Sequence, residues 1–474
     1  MLPLEKLIEK INSDDPTLTK LTLRLQSNDP PSLRMNFFNA LATNRVITYI
    51  DLSSSLISDG EISKLAINTS LIEINVSDNL ISDKGAIALS QIPSLEILII
   101  WHNEITHLSC IALSQHRKLN YLDLGWNRIK AAGLRAFFNN TTLLYLDAWN
   151  NGIKAKRLQN ICLSFNLERI DLTGNNLNHT ILLALSAHSS LTTLEVGDCD
   201  IDSAGASYLA ASTSLRTLDL HNNHITHQCS EAFGNNTTLT RLILANNYLG
   251  DLGAKKLSTN IRLQNLDLRY NEISIEGGRA LAIMTSVNTL KLDGNPIGDD
   301  VMQALILGPN NIRKLSAEDC DISDAGLTFF STHSNLFSFA VKKNKITDKG
   351  VEEMVRNTVL RALDLSENKL SFVSINALLR LTRLHALKLD QCGLTDQDLK
   401  SVSRLSPLSL SLNTNDLSSD IISTLAKCTQ LTTLRITGNA HRFRSEENEI
   451  MNKHDKNIIL VPRSEEFQIE SLSL

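Results

Sequence analysis

Three histidines stand close together in the segment HNNHITH, at His221, His224 and His227. Imidazole is a common zinc ligand and a general base near neutral pH, so a metal site or a hydrolytic site is the first chemistry to consider. The segment runs from a strand through a turn towards a helix, however, and the three side chains should diverge. We therefore expect no metal and no cofactor here.

The sequence carries no other catalytic signature. It contains no P-loop, no Rossmann glycine pattern, no H-E-x-x-H and no nucleophile elbow. These observations predict a protein that is not an enzyme. A hydrolase that uses Asp123, Asp147 or His221 on an exposed sheet face is the alternative.

One template recurs along the chain, and it decides where these side chains point. The segments LNYLDLGWNRI (from 119), LRTLDLHNNHI (from 215) and LRALDLSENKL (from 360) share the pattern LxxLxLxxNxI. Repeats begin every 24 residues from 47 to 287, and then at 312, 336, 360, 384, 407 and 431, with a weaker repeat at 18. Such a period indicates a repeat protein whose repeats pack on their neighbours.

Each position of the template has a physical reason. The fourth and sixth residues are apolar between polar neighbours, which is typical of a strand with one buried side. The ninth is Asn, or Cys at 199, 320 and 392, and an inward Asn can hydrogen-bond backbone groups of the turn. Ser, Thr or Asp then precedes a short helix. A glycine at the fifteenth position predicts close contact with the adjacent repeat.

The template resembles that of the leucine-rich repeat proteins, and is most similar to their ribonuclease-inhibitor-like class, over roughly residues 18 to 440. This resemblance implies an α/β solenoid shaped as a horseshoe, with a parallel sheet on the concave face and short helices on the convex face. Packing favours the same curvature, because strands lie about 4.8 Å apart whereas helices need about 10 Å. Fold alone assigns no function.

The third, fifth, seventh and eighth residues of each repeat should face outward from the concave sheet. This phase places all three tryptophans of the chain on consecutive strands. Exposed aromatic clusters usually mark contact sites, although aromatic pairs on adjacent strands also stabilise a sheet. We predict a protein-binding site formed by Ile97, Ile99, Trp101, His102, Tyr121, Asp123, Trp126, Tyr145, Asp147, Trp149 and Asp171.

Charges are distributed unevenly over the same face. We expect this polarity to orient a charged partner, while a hydrated spacer role for the recurrent Asp is the alternative. The early acidic column comprises Asp123, Asp147, Asp171, Glu195 and Asp219. The later basic positions are Lys291, Lys314, Lys342, Lys343, Lys388 and Arg435.

The chain divides into an N-terminal cap with the weak first repeat (1–46), the leucine-rich repeats (47–440) and a C-terminal cap with a flexible tail (441–474). A helix is predicted over 3–12, and Pro31 is placed to begin a second one. LPLEKLIEKI resembles the first helix of an F-box, which implies a ubiquitin-ligase substrate adaptor as an alternative function. SEEFQIESLSL is similar to the C-terminal signals of bacterial type IV secretion effectors.

Composition limits the cellular setting. A net charge of -5 gives no general attraction to nucleic acid, and no segment reaches the roughly 20 apolar residues of a membrane helix. The start shows no signal peptide, so seven N-x-S/T triplets are interpreted as chance matches. We expect a monomeric, cytoplasmic module that binds a protein partner. The tail adds the hypothesis of an effector that a bacterium secretes into a host cell without a cleaved signal peptide.

Overall fold

The computed structural model describes residues 3–154, 166–330, 336–405, 407–428 and 430–439, together with the backbone of residues 459 and 460. The chain forms two compact units, Met1–Ile225 (unit 1) and Thr226–Leu474 (unit 2). Most of the predicted tail lies outside the described residues. Each unit repeats the same sequence of a short strand, a turn and a short helix.

The strands of unit 1 are three residues long and form one parallel sheet in chain order. Each strand is one rung, made of the third to fifth residues of a repeat from β2 onward. The rungs are β1 Lys20–Thr22, β2 Tyr49–Asp51, β3 Glu73–Asn75, β4 Ile97–Ile99, β5 Tyr121–Asp123, β6 Tyr145–Asp147, β7 Arg169–Asp171, β8 Thr193–Glu195 and β9 Thr217–Asp219.

Short helices return the chain of unit 1 from one strand to the next. Leucine and isoleucine side chains fill the space between them and the sheet, and most of these are fully buried. The helices are α1 Leu4–Asn12, α2 Pro31–Thr43, α3 Asp59–Ile62 with the 3-10 turn Ser63–Ile67, α4 Asp83–Leu89, α5 His107–Ser114, α6 Lys130–Ala136, α7 His179–Ser186 and α8 Ser203–Ala210.

Unit 2 has the same organisation, with parallel strands in chain order. Its strands are β10 Arg241–Ile243, β11 Asn265–Asp267, β12 Thr289–Lys291, β13 Lys314–Ser316, β14 Ser338–Ala340, β15 Ala362–Asp364, β16 Ala386–Lys388, β17 Ser409–Ser411, β18 Thr433–Arg435 and β19 Ile459–Leu460. Its helices are α9 Ser230–Asn235, α10 Gly250–Leu257, α11 Ile275–Leu281, α12 Gly298–Leu307, α13 Asp348–Met354, α14 Phe372–Leu378 and α15 Ile421–Leu425, with 3-10 turns His227–Cys229, Asp324–Leu327 and Val402–Arg404.

The predicted α/β repeat architecture, a parallel sheet with short helices on one side, is therefore confirmed within each unit. Among the described helices, none combines the length and the apolar character that a membrane crossing requires.

The asparagine at the ninth position stabilises each turn as predicted. Asn127 accepts a hydrogen bond at Oδ1 from the backbone N–H of Ile105, at 3.0 Å, and its Nδ2 donates to the carbonyls of Ile100 and Leu124, both at 3.0 Å. Cys199 replaces this residue in one repeat, and its Sγ donates to the carbonyls of Leu172 and Gly197 at 3.2 Å. Burial raises the pKa of the Cys199 thiol to about 12. This cysteine is therefore a core residue rather than a nucleophile.

The eighth residue of every repeat from 47 to 431 adopts the left-handed region, with φ from 49° at Trp126 to 73° at Gly438. The template alone did not predict this conformation. Side chains other than glycine and asparagine adopt it at a cost of about 1–2 kcal/mol. The turn therefore imposes a small strain wherever a bulky residue stands at the eighth position.

Aspartates in the first turn of several helices join one repeat to the next. Asp59 accepts from the backbone N–H of Ser82 at 2.8 Å and of Gly85 at 3.0 Å. A Cβ at residue 85 would lie 2.7 Å from Asp59 Oδ1, so glycine there allows the carboxylate to approach. The carboxylate thus satisfies N–H groups at the start of the next helix. The predicted close packing at the fifteenth position is confirmed.

A second asparagine position explains three of the N-x-S/T triplets, at Asn68, Asn140 and Asn236, all buried. Asn140 accepts from the backbone N–H of Thr142 at 2.9 Å and of Leu143 at 2.7 Å, and it donates to a carbonyl of the preceding repeat. Chance was therefore the wrong explanation for these three. An amide bonded in this way is not available to carry a glycan in the folded chain.

The ninth-position asparagine gives a direct test of this fold. Replacing Asn127 with Ala leaves the Ile105 N–H buried without a partner and removes one of the two amide donors to each of the Ile100 and Leu124 carbonyls, at a cost of about 1–3 kcal/mol. Asn127→Cys keeps a weak donor and should lose clearly less stability. Urea unfolding followed by circular dichroism measures both variants. An Ala variant with the wild-type midpoint would contradict the role assigned to this side chain.

Candidate functional site

The register of β4 to β7 aligns the predicted site residues in two rows that cross the strands. Both rows lie on the side of the sheet away from the helices, which we call the open face. The rows are Ile97, Tyr121, Tyr145 and Arg169, and Ile99, Asp123, Asp147 and Asp171.

The three tryptophans are neighbours on this face. The ring centroid of Trp149 lies 6.2 Å from that of Trp101 and 6.2 Å from that of Trp126. His102 stacks on Trp101 at 6.0 Å and meets the edge of Trp126 at 5.2 Å. These separations are those of interacting aromatic pairs. We call Trp101, His102, Trp126 and Trp149 the aromatic patch; Trp126 is 50% exposed.

Gly125 makes this arrangement possible. It occupies the seventh position on the rung between those of Trp101 and Trp149, and a Cβ there would lie 2.1 Å from Trp149 Nε1. The Trp149 indole therefore lies over the glycine and reaches Trp101, two rungs away. The template places the seventh position outward but does not by itself reveal this slot at Gly125. The signal was a residue without a side chain between two tryptophan-bearing rungs.

Polar contacts fix the rings at the edge of the aromatic patch. His102 Nδ1 lies 2.7 Å from Asp78 Oδ1, and Ser54 Oγ donates to the other oxygen of Asp78 at 2.6 Å. The hydroxyl of Ser54 is the largest cause that holds the pKa of Asp78 below its ordinary value. Asn150 accepts from Trp126 Nε1 at 2.5 Å in the amide orientation that satisfies both groups. The rings are therefore held by partners as well as by stacking.

Beside the aromatic patch, two tyrosines and an arginine form a polar network. The Tyr121 and Tyr145 rings lie 6.1 Å apart, and the Tyr121 hydroxyl donates to Asp147 at 2.9 Å. Arg169 Nη1 donates to both oxygens of Asp147, at 2.8 and 3.0 Å, and Arg169 also reaches Glu195 at 3.2 Å. Burial and the Asp147 charge raise the pKa of Tyr121.

Two residues of the predicted site are placed differently from the expectation. Asp123 and Asp147 should face solvent, yet they are only 9% and 5% exposed. Side chains from the neighbouring rungs cover them: the Tyr121 hydroxyl and Arg169 both contact Asp147. These two carboxylates therefore lie beneath the side chains that form the surface, whereas His102 and Trp126 are exposed. The remaining predicted residues, Ile97, Ile99, Trp101, Tyr121, Tyr145, Trp149 and Asp171, are half-buried.

Burial raises the pKa of two aspartates in the acidic column. It raises the pKa of Asp123 to about 6, although the backbone N–H of Gly125 donates to this carboxylate at 2.9 Å and opposes the shift. Burial likewise raises the pKa of Asp171 to about 6, with hydrogen bonds from Thr173 opposing it. Both groups are mostly ionised at neutral pH, in surroundings that solvate their charge poorly.

Three of the six basic positions predicted for the later repeats are paired with acidic residues in unit 2. Lys342 pairs with Glu367 at 3.2 Å, and Lys388 pairs with Asp364 at 3.3 Å. Lys343 pairs with Asp319 at 2.7 Å. The expectation of a cationic later surface therefore overlooked acidic residues on the adjacent rungs.

The histidines of HNNHITH do not form a shared site. His221 Nδ1 lies 2.8 Å from Asp219 Oδ1, and this hydrogen bond raises the pKa of His221. His224 lies 3.3 Å from Asp200, and His227 begins a 3-10 turn. Within the described ranges, no group of three His, Cys, Asp or Glu side chains is arranged to hold a metal ion.

Family models described as leucine rich repeats match the chain at residues 68–90, 115–138, 187–210, 214–236 and 237–297. Together with the 24-residue period, these matches show that the chain is a leucine-rich repeat protein. The resemblance noted in the sequence is thus confirmed at the level of this family. Comparison of the sequence with curated proteins gives no significant match.

Two solved structures are similar to the chain. One is an internalin (inlF) from Listeria monocytogenes, at 25% identity and a TM-score of 0.48, covering 70% of this chain and 89% of that one. The other is the ectodomain of the plant membrane receptor kinase GASSHO1/SCHENGEN3 from Arabidopsis thaliana, in complex with CASPARIAN STRIP INTEGRITY FACTOR 2. It gives 18% identity and a TM-score of 0.38, covering 88% of this chain and 62% of that one.

The Gly125 slot predicts a specific change in the aromatic patch. Gly125→Ala should displace the Trp149 indole and separate it from Trp101, while unfolding shifts by no more than about 1–2 kcal/mol, because a ring can move more easily than backbone. Near-ultraviolet circular dichroism and tryptophan fluorescence report the change. Gly60→Ala is the control, since a Cβ there meets no atom within 4 Å. Unchanged spectra for Gly125→Ala would contradict the slot.

Burial of Asp123 predicts a pH-dependent stability difference. Its folded-state pKa of about 6 exceeds the ordinary value of 3.8, so ionisation destabilises the fold and the cost grows as pH rises from about 4 to about 6. Asp123→Asn removes this cost, and should gain up to about 3 kcal/mol at pH 7 and almost nothing at pH 4. Urea unfolding at both pH values measures the difference. An equal effect at both would contradict the assigned burial.

Proposed function

We propose that the chain is a non-enzymatic module that binds a protein partner through the open face of unit 1, at the aromatic patch and the adjoining half-buried residues. Leucine-rich repeat proteins as a class are protein-interaction modules. The observation that carries the proposal is the contact of Trp149 with both Trp101 and Trp126 on three consecutive rungs, with Trp126 half exposed. Tryptophan and tyrosine are enriched among residues that dominate binding energy.

The backbone supports the same conclusion. Trp126 occupies the left-handed eighth position, where a bulky side chain is unfavourable by about 1–2 kcal/mol. Retaining tryptophan there lowers stability and exposes apolar surface, so a role in binding accounts for it better than a role in folding. The rings are held by stacking and by hydrogen bonds before any partner arrives, which reduces the ordering cost of association.

The alternative of a ubiquitin-ligase adaptor needs an N-terminal helix that is free to dock. Leu7 and Ile11 of α1 are instead buried, and Asn44, which follows α2, donates to the carbonyl of Ile11 at 2.8 Å. The apolar side of α1 therefore belongs to the cap of unit 1.

The alternative of a hydrolase needs Asp123, Asp147 and His221 within reach of one another. The strand register separates the rungs of Asp123 and His221 by four spacings, about 19 Å. No observation on this face favours hydrolysis over binding.

The remaining features of the proposal concern the setting. We propose a monomer that acts in the cytoplasm of a host cell as a bacterial effector, and that binds neither nucleic acid nor membrane. The effector role is supported by the composition of SEEFQIESLSL, and it is independent of the binding site. Detection of the chain inside host cells only when the secretion system is intact would test it.

The aromatic patch supplies the decisive experiment. Partner capture from host-cell lysate, identified by mass spectrometry, is expected to fail for a variant with Trp101, Trp126 and Trp149 replaced by Ala, because each large-to-small change at a central contact costs about 2 kcal/mol or more. The same variant should keep the circular dichroism spectrum of the wild type.

Tyr270→Ala is the matched control. Tyr270 stands at the eighth position of a repeat in unit 2, with φ 53°, is 55% exposed, and lies over Gly294 as Trp149 lies over Gly125. Capture by this control should be unchanged. Equal affinity of the triple variant and the wild type for the captured partner would overturn the proposal.

A further inference from the structure

The open face of unit 1 carries an uncompensated negative charge beside the aromatic patch. From β5 to β9, the outward positions of the repeats hold one arginine, Arg169, which is already paired with Asp147 and Glu195, and one histidine, His221, which is paired with Asp219. The carboxylates at these positions are Asp123, Asp147, Asp171, Glu195, Asp198 and Asp219.

Among the described residues, no ion pair within 4 Å joins a cationic side chain to Asp123, Asp171 or Asp198. A nearby titratable cation is His221, which pairs with Asp219 and whose pKa is also raised by the charges of Asp198 and Asp171. The hydrogen bonds of the three aspartates, where present, come from neutral donors such as the N–H groups of Gly125 and Thr173. Asp123 is buried and Asp171 is half-buried, and this burial raises the pKa of each to about 6. At neutral pH, a cation brought from outside would stabilise both carboxylates.

Unit 2 shows that the fold does not require this imbalance. It uses the same repeat and the same outward positions, yet these carry lysines and arginines as well as carboxylates. Some of its carboxylates, Asp293 and Asp390, are also hydrogen-bonded by neutral donors, but others are paired. Asp319 pairs with Lys343 and Asp364 pairs with Lys388. The negative face of unit 1 is therefore a property of its particular residues and not of the repeat.

Like the carboxylates, the aromatic patch favours a cationic ligand. An indole face attracts a guanidinium or ammonium group by about 0.5–2 kcal/mol, and Trp126 presents half of its surface to solvent. A guanidinium can stack on an indole while it pairs with a carboxylate. Rings and carboxylates thus favour the same kind of ligand.

We propose that the partner segment held by this face is an extended, arginine- or lysine-rich peptide, which places one cationic side chain among the indoles of the aromatic patch and lies along the acidic column. This inference rests on the proposed function and specifies its partner. The column from Asp123 to Asp219 spans four strand spacings, about 19 Å. An extended chain of about six residues covers that length.

The test uses the full chain and a capped peptide of about six residues that alternates arginine and serine. Two further peptides replace arginine with citrulline, which is nearly isosteric but neutral, or with glutamate. All three tryptophans of the chain lie in the aromatic patch, so intrinsic fluorescence reports on this surface, and calorimetry gives the affinity. We expect the arginine peptide to bind at least about tenfold more tightly than the citrulline peptide, and the glutamate peptide not to bind.

A matched pair of variants separates local charge from net charge. Asp171→Asn with Asp198→Asn removes two unpaired carboxylates and should weaken binding of the arginine peptide about tenfold. Asp319→Asn with Asp390→Asn is the control, because it also removes two charges but in unit 2. Asp319 shares the repeat position and the φ of 51° of Asp198, and Asp390, like Asp171, is half-buried and hydrogen-bonded by neutral donors. This control should leave the affinity unchanged.

Two results would overturn the inference: equal affinity for the arginine and citrulline peptides, or no binding of the arginine peptide at about 1 mM. The citrulline comparison uses the unaltered chain, so it stays decisive if a variant folds poorly. If partner capture depends on the tryptophans while the arginine peptide fails, the proposed function stands and the basic partner is wrong. If capture does not depend on them, the proposed function itself fails.

Discussion

The hydrogen-bonding demand of the turn after each strand is the constraint on which the rest of the structure depends. The chain leaves a three-residue strand and reverses into the core, where unpaired backbone groups would be costly. One buried asparagine, such as Asn127, satisfies groups of its own turn and of the preceding repeat. Repeats joined by these hydrogen bonds must place equivalent template positions side by side. Outward and inward positions are therefore fixed along each sheet.

Because every repeat keeps the same phase, residues at the same template position line up in a column across the strands. Because neighbouring strands pair in parallel without a shift, residues 24 positions apart lie side by side across β4 to β9, and their side chains interact directly. The indole of Trp149 can thus use the vacancy at Gly125 on the adjacent rung. The aromatic patch is a joint product of several repeats, and no single repeat could form it.

The sequence was sufficient to predict the strands, the helices that open the cap, the turn asparagines and the grouping of the tryptophans. All of these follow from a period. It was insufficient for properties that depend on how neighbouring rungs cover one another. Asp123 and Asp147 occupy outward positions, yet they are buried because larger side chains on adjacent rungs lean over them. The capping of one helix by Asp59 of the previous repeat escaped notice because it joins positions 23 to 26 residues apart.

Binding specificity must then reside in the positions that the repeat leaves free. The template determines the leucines and the asparagine, and these are alike in both units. The residues between them differ: unit 1 combines stacked indoles with carboxylates that form no ion pair within the described residues, whereas Lys342 and Lys388 of unit 2 are paired with acidic neighbours. A paired surface gains little from an external charge, since binding must first break an existing pair. A partly buried carboxylate without an ion pair gains more, and this difference supports the binding site proposed on the open face of unit 1.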